Sequence, residues 1–184
     1  MREEEISNLC KKGDNAARKE LYECYGPRLL AICIRYIGER TAAEDVLHDG
    51  FIKIFNSFDK FTYRGEGSLK AWTDRVIVNT SLEYLRKTKK IRDNRTDMSI
   101  ADKYEEPPQE QIRLVPKNII LEYISELPDG YRAVFNLYTF ENKSHREIAR
   151  MLGINEKSSS SQLSRAKSLL AKKINTYLDA VKNE

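Results

Sequence analysis

Residues 144–173 constrain the fold more than any other stretch of this chain. Ser144 and Glu147 have the spacing of a capping box, in which the serine hydroxyl accepts from the Glu147 amide while the glutamate reaches back. Ile148, Ala149 and Leu152 follow as an apolar helical stripe, and Gly153 can take the left-handed conformation that ends a helix. Asn155 can cap a second helix, along which Leu163, Ala166, Leu170 and Ile174 recur at helical spacing. Two helices joined by a tight Gly-containing turn form a helix-turn-helix, a unit that presents its second helix to a DNA major groove.

The second helix is charged to suit that role. Lys157, Arg165, Lys167, Lys172 and Lys173 are basic, and no acid occurs between Lys157 and Leu178. With Leu163 inward, a turn of about 100° per residue sends Lys157, Ser161, Ser164 and Arg165 outward. Short side chains on a basic surface can approach phosphates and base edges closely, with the serines and Gln162 as donors or acceptors. The four serines at 158–161 would otherwise read as a flexible linker. A capped, periodic helix brackets them on both sides and favours helix.

The length of 184 residues allows one ordinary domain or two small ones, and a net charge of +4 does not by itself indicate nucleic acid. The distribution of charge says more. Arg86, Lys87, Lys89, Lys90 and Arg92 form a second basic run without an acid, which beside a helix-turn-helix points to a phosphate-tracking surface. Cys10, Cys24 and Cys33 are widely spaced and odd in number, so they read as reduced packing residues rather than a disulfide or metal framework. No metal, cofactor or catalytic residue is expected. Arg2 followed by Glu3, Glu4 and Glu5 is too acidic for a secretory signal, and no apolar run approaches membrane-spanning length. A cytoplasmic protein without membrane insertion is the expectation.

Nearly every segment outside the turns reads as helix, and alternating strand patterns are absent. Asp14 or Asn15 can cap a helix carrying Leu21, Tyr22 and Tyr25, which Gly26-Pro27 should kink or restart before Leu29, Leu30, Cys33 and Ile37. Thr41 and Glu44 form another capping box, ahead of a helix with Val46, Leu47, Phe51, Ile54, Phe55 and Phe58 inward. Residues 60–67 hold two glycines and no periodicity, as a loop does; Ser68 then caps a long helix packed through Leu69, Trp72, Val76 and Leu85. Residues 91–114 lose apolar spacing and contain Pro107-Pro108, which predicts a tether. Folding resumes with Val115, Ile119, Ile120, Tyr123, Ile124 and Leu127; a turn at Pro128-Asp129-Gly130 precedes a helix from Tyr131 to Tyr138. The expected fold class is all-α: two small helical domains, 1–90 and 115–184, joined by a flexible linker, the C-terminal one a helix-turn-helix.

Two separated patterns resemble one family. Residues 43–51 and 71–79 resemble region 2 of bacterial sigma factors; residues 127–173, notably Glu147-Ile148-Ala149, Leu152-Gly153-Ile154 and residues 161–167, resemble their region 4. With only these two regions, the chain is similar to the extracytoplasmic-function class of the sigma-70 family. The resemblance implies a factor that binds core RNA polymerase and directs it to promoter DNA, commonly under an anti-sigma factor. It places the polymerase contact on Asp45, Val46, Leu47, His48 and Asp49, with His48 where the family usually has glutamine. It places capture of the opened downstream element on Phe61, Tyr63 and Arg64 in the loop and Lys70, Arg75, Asn79, Arg86 and Lys87 on the helix. The chemistry needed there is a pocket for an extruded base, planar groups for stacking and cations for the backbone. Trp72, sharing a face with Leu69 and Val76, reads as core. The upstream element falls to Lys157, Ser160, Ser161, Gln162, Ser164 and Arg165, and Ser159 stands where the family usually has an apolar residue. The linker in the family threads toward the polymerase active centre. Asp97, Asp102, Glu105, Glu106 and Glu110 make it partly acidic here, which fits either a nucleic-acid mimic or a solvated tether.

The alternative reading is a helix-turn-helix regulator that binds duplex DNA without contacting core polymerase. An enzyme would need a convergent nucleophile or metal cluster. His48 and His145, almost a hundred residues apart, offer none.

Overall fold

The structure, a computed structural model, describes residues 2–88 and 107–182. All regular structure among them is helical. Cα packing divides the chain into two compact units, Met1–Tyr84 and Leu85–Glu184. The division falls inside a helix, earlier than the expected boundary at residue 90.

The first unit begins with α1 (Glu3–Lys11) and α2 (Asn15–Ile37). Asp14 caps α2 by accepting from the Ala17 amide at 2.8 Å. Helix α2 runs through Pro27 without restarting. Gly26 carries no Cβ to meet the proline ring, which relieves the clash that usually breaks a helix before proline. Helix α3 (Arg40–Asn56) starts earlier than the Thr41 box predicts. Glu39 is its cap, with carboxylate oxygens 2.7 Å from the Thr41 and Ala42 amides, and Glu44 is drawn instead to Arg40 at 2.9 Å. A 3-10 turn (Phe58–Lys60) leads through the loop to α4 (Ser68–Lys87).

Helix α4 crosses α3 where Gly50 permits close approach: a Cβ on Gly50 would lie 2.3 Å from Ile77 Cδ1. Arg28 on α2 pairs with Asp74 at 2.5 Å and Lys53 on α3 with Glu83 at 2.6 Å, holding α4 at both ends of its contact. Leu69, Ile77, Leu82 and Leu85 are buried, whereas Trp72 and Val76 are only half-buried. Phe55 is likewise half-buried, while Val46, Leu47, Phe51, Ile54 and Phe58 are in the core as expected. Cys10 and Cys33 pack inside; Cys24 does not and lies exposed on α2.

In the second unit, α5 (Gln109–Ile112) forms a short helix within the stretch expected to be tether. Lys89, Lys90, Arg92, Asp97, Asp102, Glu105 and Glu106 lie outside the described residues. Helices α6 (Lys117–Ser125), α7 (Asp129–Thr139), α8 (His145–Leu152) and α9 (Glu156–Lys182) follow. Asp129 and Gly130 belong to the first turn of α7 rather than to a preceding turn, because Pro128 supplies the cap position. Ile124, Leu127, Tyr131, Ala166 and Leu170 form one buried cluster and Val115, Ile174 and Leu178 another, so α9 is the spine of this unit. Arg132 is buried but satisfied, donating to the Ser125 and Leu127 carbonyls at 2.7 and 2.6 Å and pairing with Asp129.

Candidate nucleic-acid interface

Three surfaces gather the predicted residues. The first is the loop of residues 61–67 with the start of α4. Trp72 packs on Phe61 with ring centroids 4.8 Å apart and on Phe58 at 5.1 Å, and Phe61 and Trp72 line an open cavity of about 370 Å³. Lys60, Arg64 and Arg75 stand around it. Phe61 is only 5% exposed, so it supports the floor and is not a free stacking platform. Trp72, read as core, is the half-exposed ring of the cluster. Tyr63 is half-buried and is not among the lining residues. Its phenol is pushed above the ordinary value, first by desolvation and then by the carboxylates of Glu4, Glu3 and Glu66.

From this cavity a polar stripe runs along α4. Arg75, Asn79 and Arg86 are exposed and lie within about 40° of one another at helical pitch, over a rise of about 16 Å. Lys87 is exposed one position round. Lys70 is also exposed, yet about 140° from Arg75 it belongs to another face. An aromatic floor with cations at its rim can hold a base by stacking, and the stripe can follow the attached backbone.

The second surface is on α3. Asp45, His48 and Asp49 are exposed along one stripe, and Ile52, 47% exposed, continues it one turn further. Val46 and Leu47 are 1% and 6% exposed; they anchor α3 to the core and present no contact surface. Sequence reading missed exposed Ile52, and also exposed Tyr22 on α2, whose ring packs at a tilt on Phe51 with centroids 4.6 Å apart. The available signal was an apolar residue seven positions after Asp45, on the polar face. Among the described residues, no group of three or more His, Cys, Asp or Glu side chains is placed to hold a metal.

The third surface is the helix-turn-helix. Both halves of the Ser144–Glu147 box form, Gly153 is left-handed at φ 69°, and Asn155 Oδ1 accepts from the Ser158 amide at 2.7 Å. Ser159 is wholly buried, its hydroxyl 2.9 Å from His145 Nδ1, and the His145 ring stacks on Tyr138 at 5.1 Å. The polar residue at an apolar position is thus matched by a polar partner on the preceding helix. Lys157, Ser160, Ser161 and Ser164 are exposed. Two predicted residues turn away from solvent: Arg165 is half-buried and donates to the Tyr131 hydroxyl at 3.2 Å, and Gln162 is half-buried with an enclosed, unpartnered Oε1. They sit nearer the helix flank that packs on α7 than the idealised wheel anticipates. Arg146 and Arg150, exposed four residues apart on α8, were missed. Their spacing was the signal, since the first helix of such a unit crosses the DNA backbone.

Comparison with known proteins matches two stretches of the chain. Residues 21–91 match the family description Sigma-70 region 2, and residues 117–170 match Sigma-70, region 4. The chain is 26% identical to the ECF RNA polymerase sigma factor SigM of Bacillus subtilis, over 82% of this chain and 91% of that protein. It is 27% identical to SigW of the same organism, over 89% and 92% of the two chains. It is 25% identical to the ECF RNA polymerase sigma-E factor of Haemophilus influenzae, over 89% and 90%. Among the described residues, no helix is long and apolar enough to cross a membrane.

Proposed function

The chain belongs to the sigma-70 family as an extracytoplasmic-function RNA polymerase sigma factor that directs promoter-specific initiation, and we propose that three exposed surfaces divide this work. The α3 stripe of Asp45, His48 and Asp49 meets a basic surface of core polymerase. Two carboxylates four residues apart repel one another unless cations face them, and an arginine-bearing partner meets that need. The cavity beside Trp72 takes a base of the opened non-template strand, while Arg75, Asn79, Arg86 and Lys87 carry its backbone. Lys157, Ser160, Ser161 and Ser164 read the upstream element in the duplex major groove, with Arg146 and Arg150 on the flanking phosphates.

The single observation that supports this most is the cavity: an aromatic floor, a cationic rim and a polar track lead from one place. Unstacking a base costs a few kcal/mol, and stacking on an aromatic surface returns about 1–3 kcal/mol. Strand opening therefore needs the additional phosphate contacts and the polymerase itself. No bond is made or broken by the factor, which acts as a non-catalytic initiation subunit in the cytoplasm. An anti-sigma factor holds the free protein inactive by covering these surfaces.

Run-off transcription with purified core polymerase on a pool of genomic fragments tests the proposal. Discrete start sites should appear only when the factor is present. Tight duplex binding without any factor-dependent transcript would instead identify a regulator that works without the polymerase core.

A further inference from the structure

A residue far along the chain reaches the capture loop. Glu3, which opens α1, is engaged at both carboxylate oxygens: Oε1 accepts from the Tyr25 hydroxyl at 2.7 Å and Oε2 from the Gly67 amide at 2.7 Å. Gly67 immediately precedes α4, so its amide is among the helix-end donors that lack an intrahelical acceptor. The first turn of α4 carries no acid of its own, and Glu3 brings the negative charge that a helix amino end favours.

Backbone bonds also engage these glycines, from the Ser68 amide to the Gly65 carbonyl at 3.1 Å and from the Ala71 amide to the Gly67 carbonyl at 2.9 Å. Gly65 and Gly67 have φ of +110° and +83°, and a Cβ at either would meet nothing within 4 Å. Side-chain packing does not fix the backbone there; polar ties do. The Ser68 hydroxyl donates to the Gly65 carbonyl at 2.6 Å and accepts from the Arg64 amide at 3.2 Å. A continuous path therefore runs from Glu3 through Gly67 and Ser68 to Arg64, which stands on the cavity rim.

We infer that Glu3 is a positioning residue for single-strand capture, tying the Gly67 amide and the Tyr25 hydroxyl so that the loop presents Arg64 beside Trp72 to an extruded base. The inference rests on reading that cavity as the downstream-element site. It gives α1 a role in promoter opening although none of its residues lines the cavity.

The test uses holoenzyme assembled from core polymerase and the full chain. A randomised pool of short single-stranded oligonucleotides first yields the sequence preferred by the wild type. Glu3→Gln should then lose roughly tenfold in selectivity for that oligonucleotide over a scrambled one, the scale of one charge-assisted hydrogen bond, with core-polymerase affinity unchanged. Tyr25→Phe, which removes one of the two ties, should lose less. A spectroscopic reading separates positioning from general packing. With 15N at the eight glycines, the Gly67 amide proton should exchange with solvent several-fold faster in Glu3→Gln than in the wild type, where Glu3 Oε2 accepts it. Should Glu3→Gln fail to fold, exchange in the wild type decides, and a Gly67 amide without protection overturns the inference. Wild-type selectivity in Glu3→Gln, alongside its loss in Arg64→Ala, overturns the tether and leaves the cavity standing. If Arg64→Ala and Arg75→Ala also keep full selectivity, the reading of the cavity fails and this inference falls with it.

Discussion

Ser159 illustrates how one atom fixes the placement of a reading surface. Its hydroxyl sits fully buried against His145, linking the first turns of α8 and α9. Ser159→Ala should destabilise the C-terminal unit by about 1 kcal/mol, the net worth of one hydrogen bond plus part of an unsatisfied partner. Urea unfolding followed in that unit measures it, and an unmoved midpoint would mean the bond adds nothing. The cysteines give a second residue-scale expectation. Burial pushes the Cys10 and Cys33 thiols up to about 11 and about 12, whereas Cys24 is exposed. A thiol reagent should therefore label one cysteine quickly in the native protein, and fast labelling of all three would contradict the packing described. What sequence revealed at this scale was local. The Ser144–Glu147 box, Asp14, Asn155 and Gly153 act within four residues, so their spacing carries the information. The burial of Phe61 depends on Phe58 and Trp72, and no local pattern reports that.

Between elements, Gly50 on α3 lies tight against the Ile77 side chain of α4. Gly50→Ala would force the new methyl into Ile77; since Ile77 is itself fully buried, a destabilisation of about 1–3 kcal/mol is expected from overpacking. A thermal melt of the N-terminal unit indistinguishable from the wild type would show that the helices separate freely there. Helix α8 offers a pH-dependent case. The Glu147 carboxyl is held below its ordinary value, chiefly by the Ser144 amide, then by the Ser144 hydroxyl. A depressed folded value means that the box stabilises fully above the unfolded value of about 4.3 and is lost as pH falls through the lowered one. Acid melting of the C-terminal unit should accordingly be less steep in Glu147→Gln than in the wild type; identical profiles would remove the box from the acid response. Most helices were legible from 3.6-residue spacing, but α1 was not read as a helix and α5 lies within the expected tether. Helix ends were less so: Glu39 outcompeted Thr41 for the α3 cap by reaching two amides at once, and α2 continues through Pro27, where a kink or restart was expected.

At the scale of the molecule, the division of labour was legible as two motifs in order, while the long-range ties were not. Glu3 and Gly67 are 64 residues apart, and nothing in either neighbourhood announces the other. The acidic stripe was legible as a pair of aspartates, and its apolar extension at Ile52 follows from the same helical spacing. Asp45→Arg should weaken association with core polymerase by at least about tenfold by placing a cation against a basic partner, while duplex binding by the C-terminal unit persists. Equal affinity of variant and wild type, read by fluorescence anisotropy, would move the contact off α3. Capture of an opened strand beside Trp72 is the step from which the rest of the reading extends. Permanganate mapping of unpaired thymines on a responsive promoter, with holoenzyme carrying the wild type or Arg75→Ala, addresses it directly. Reactive thymines near the start site should appear with the wild type and fade with Arg75→Ala while upstream duplex protection persists; opening of equal extent in both would place strand capture elsewhere.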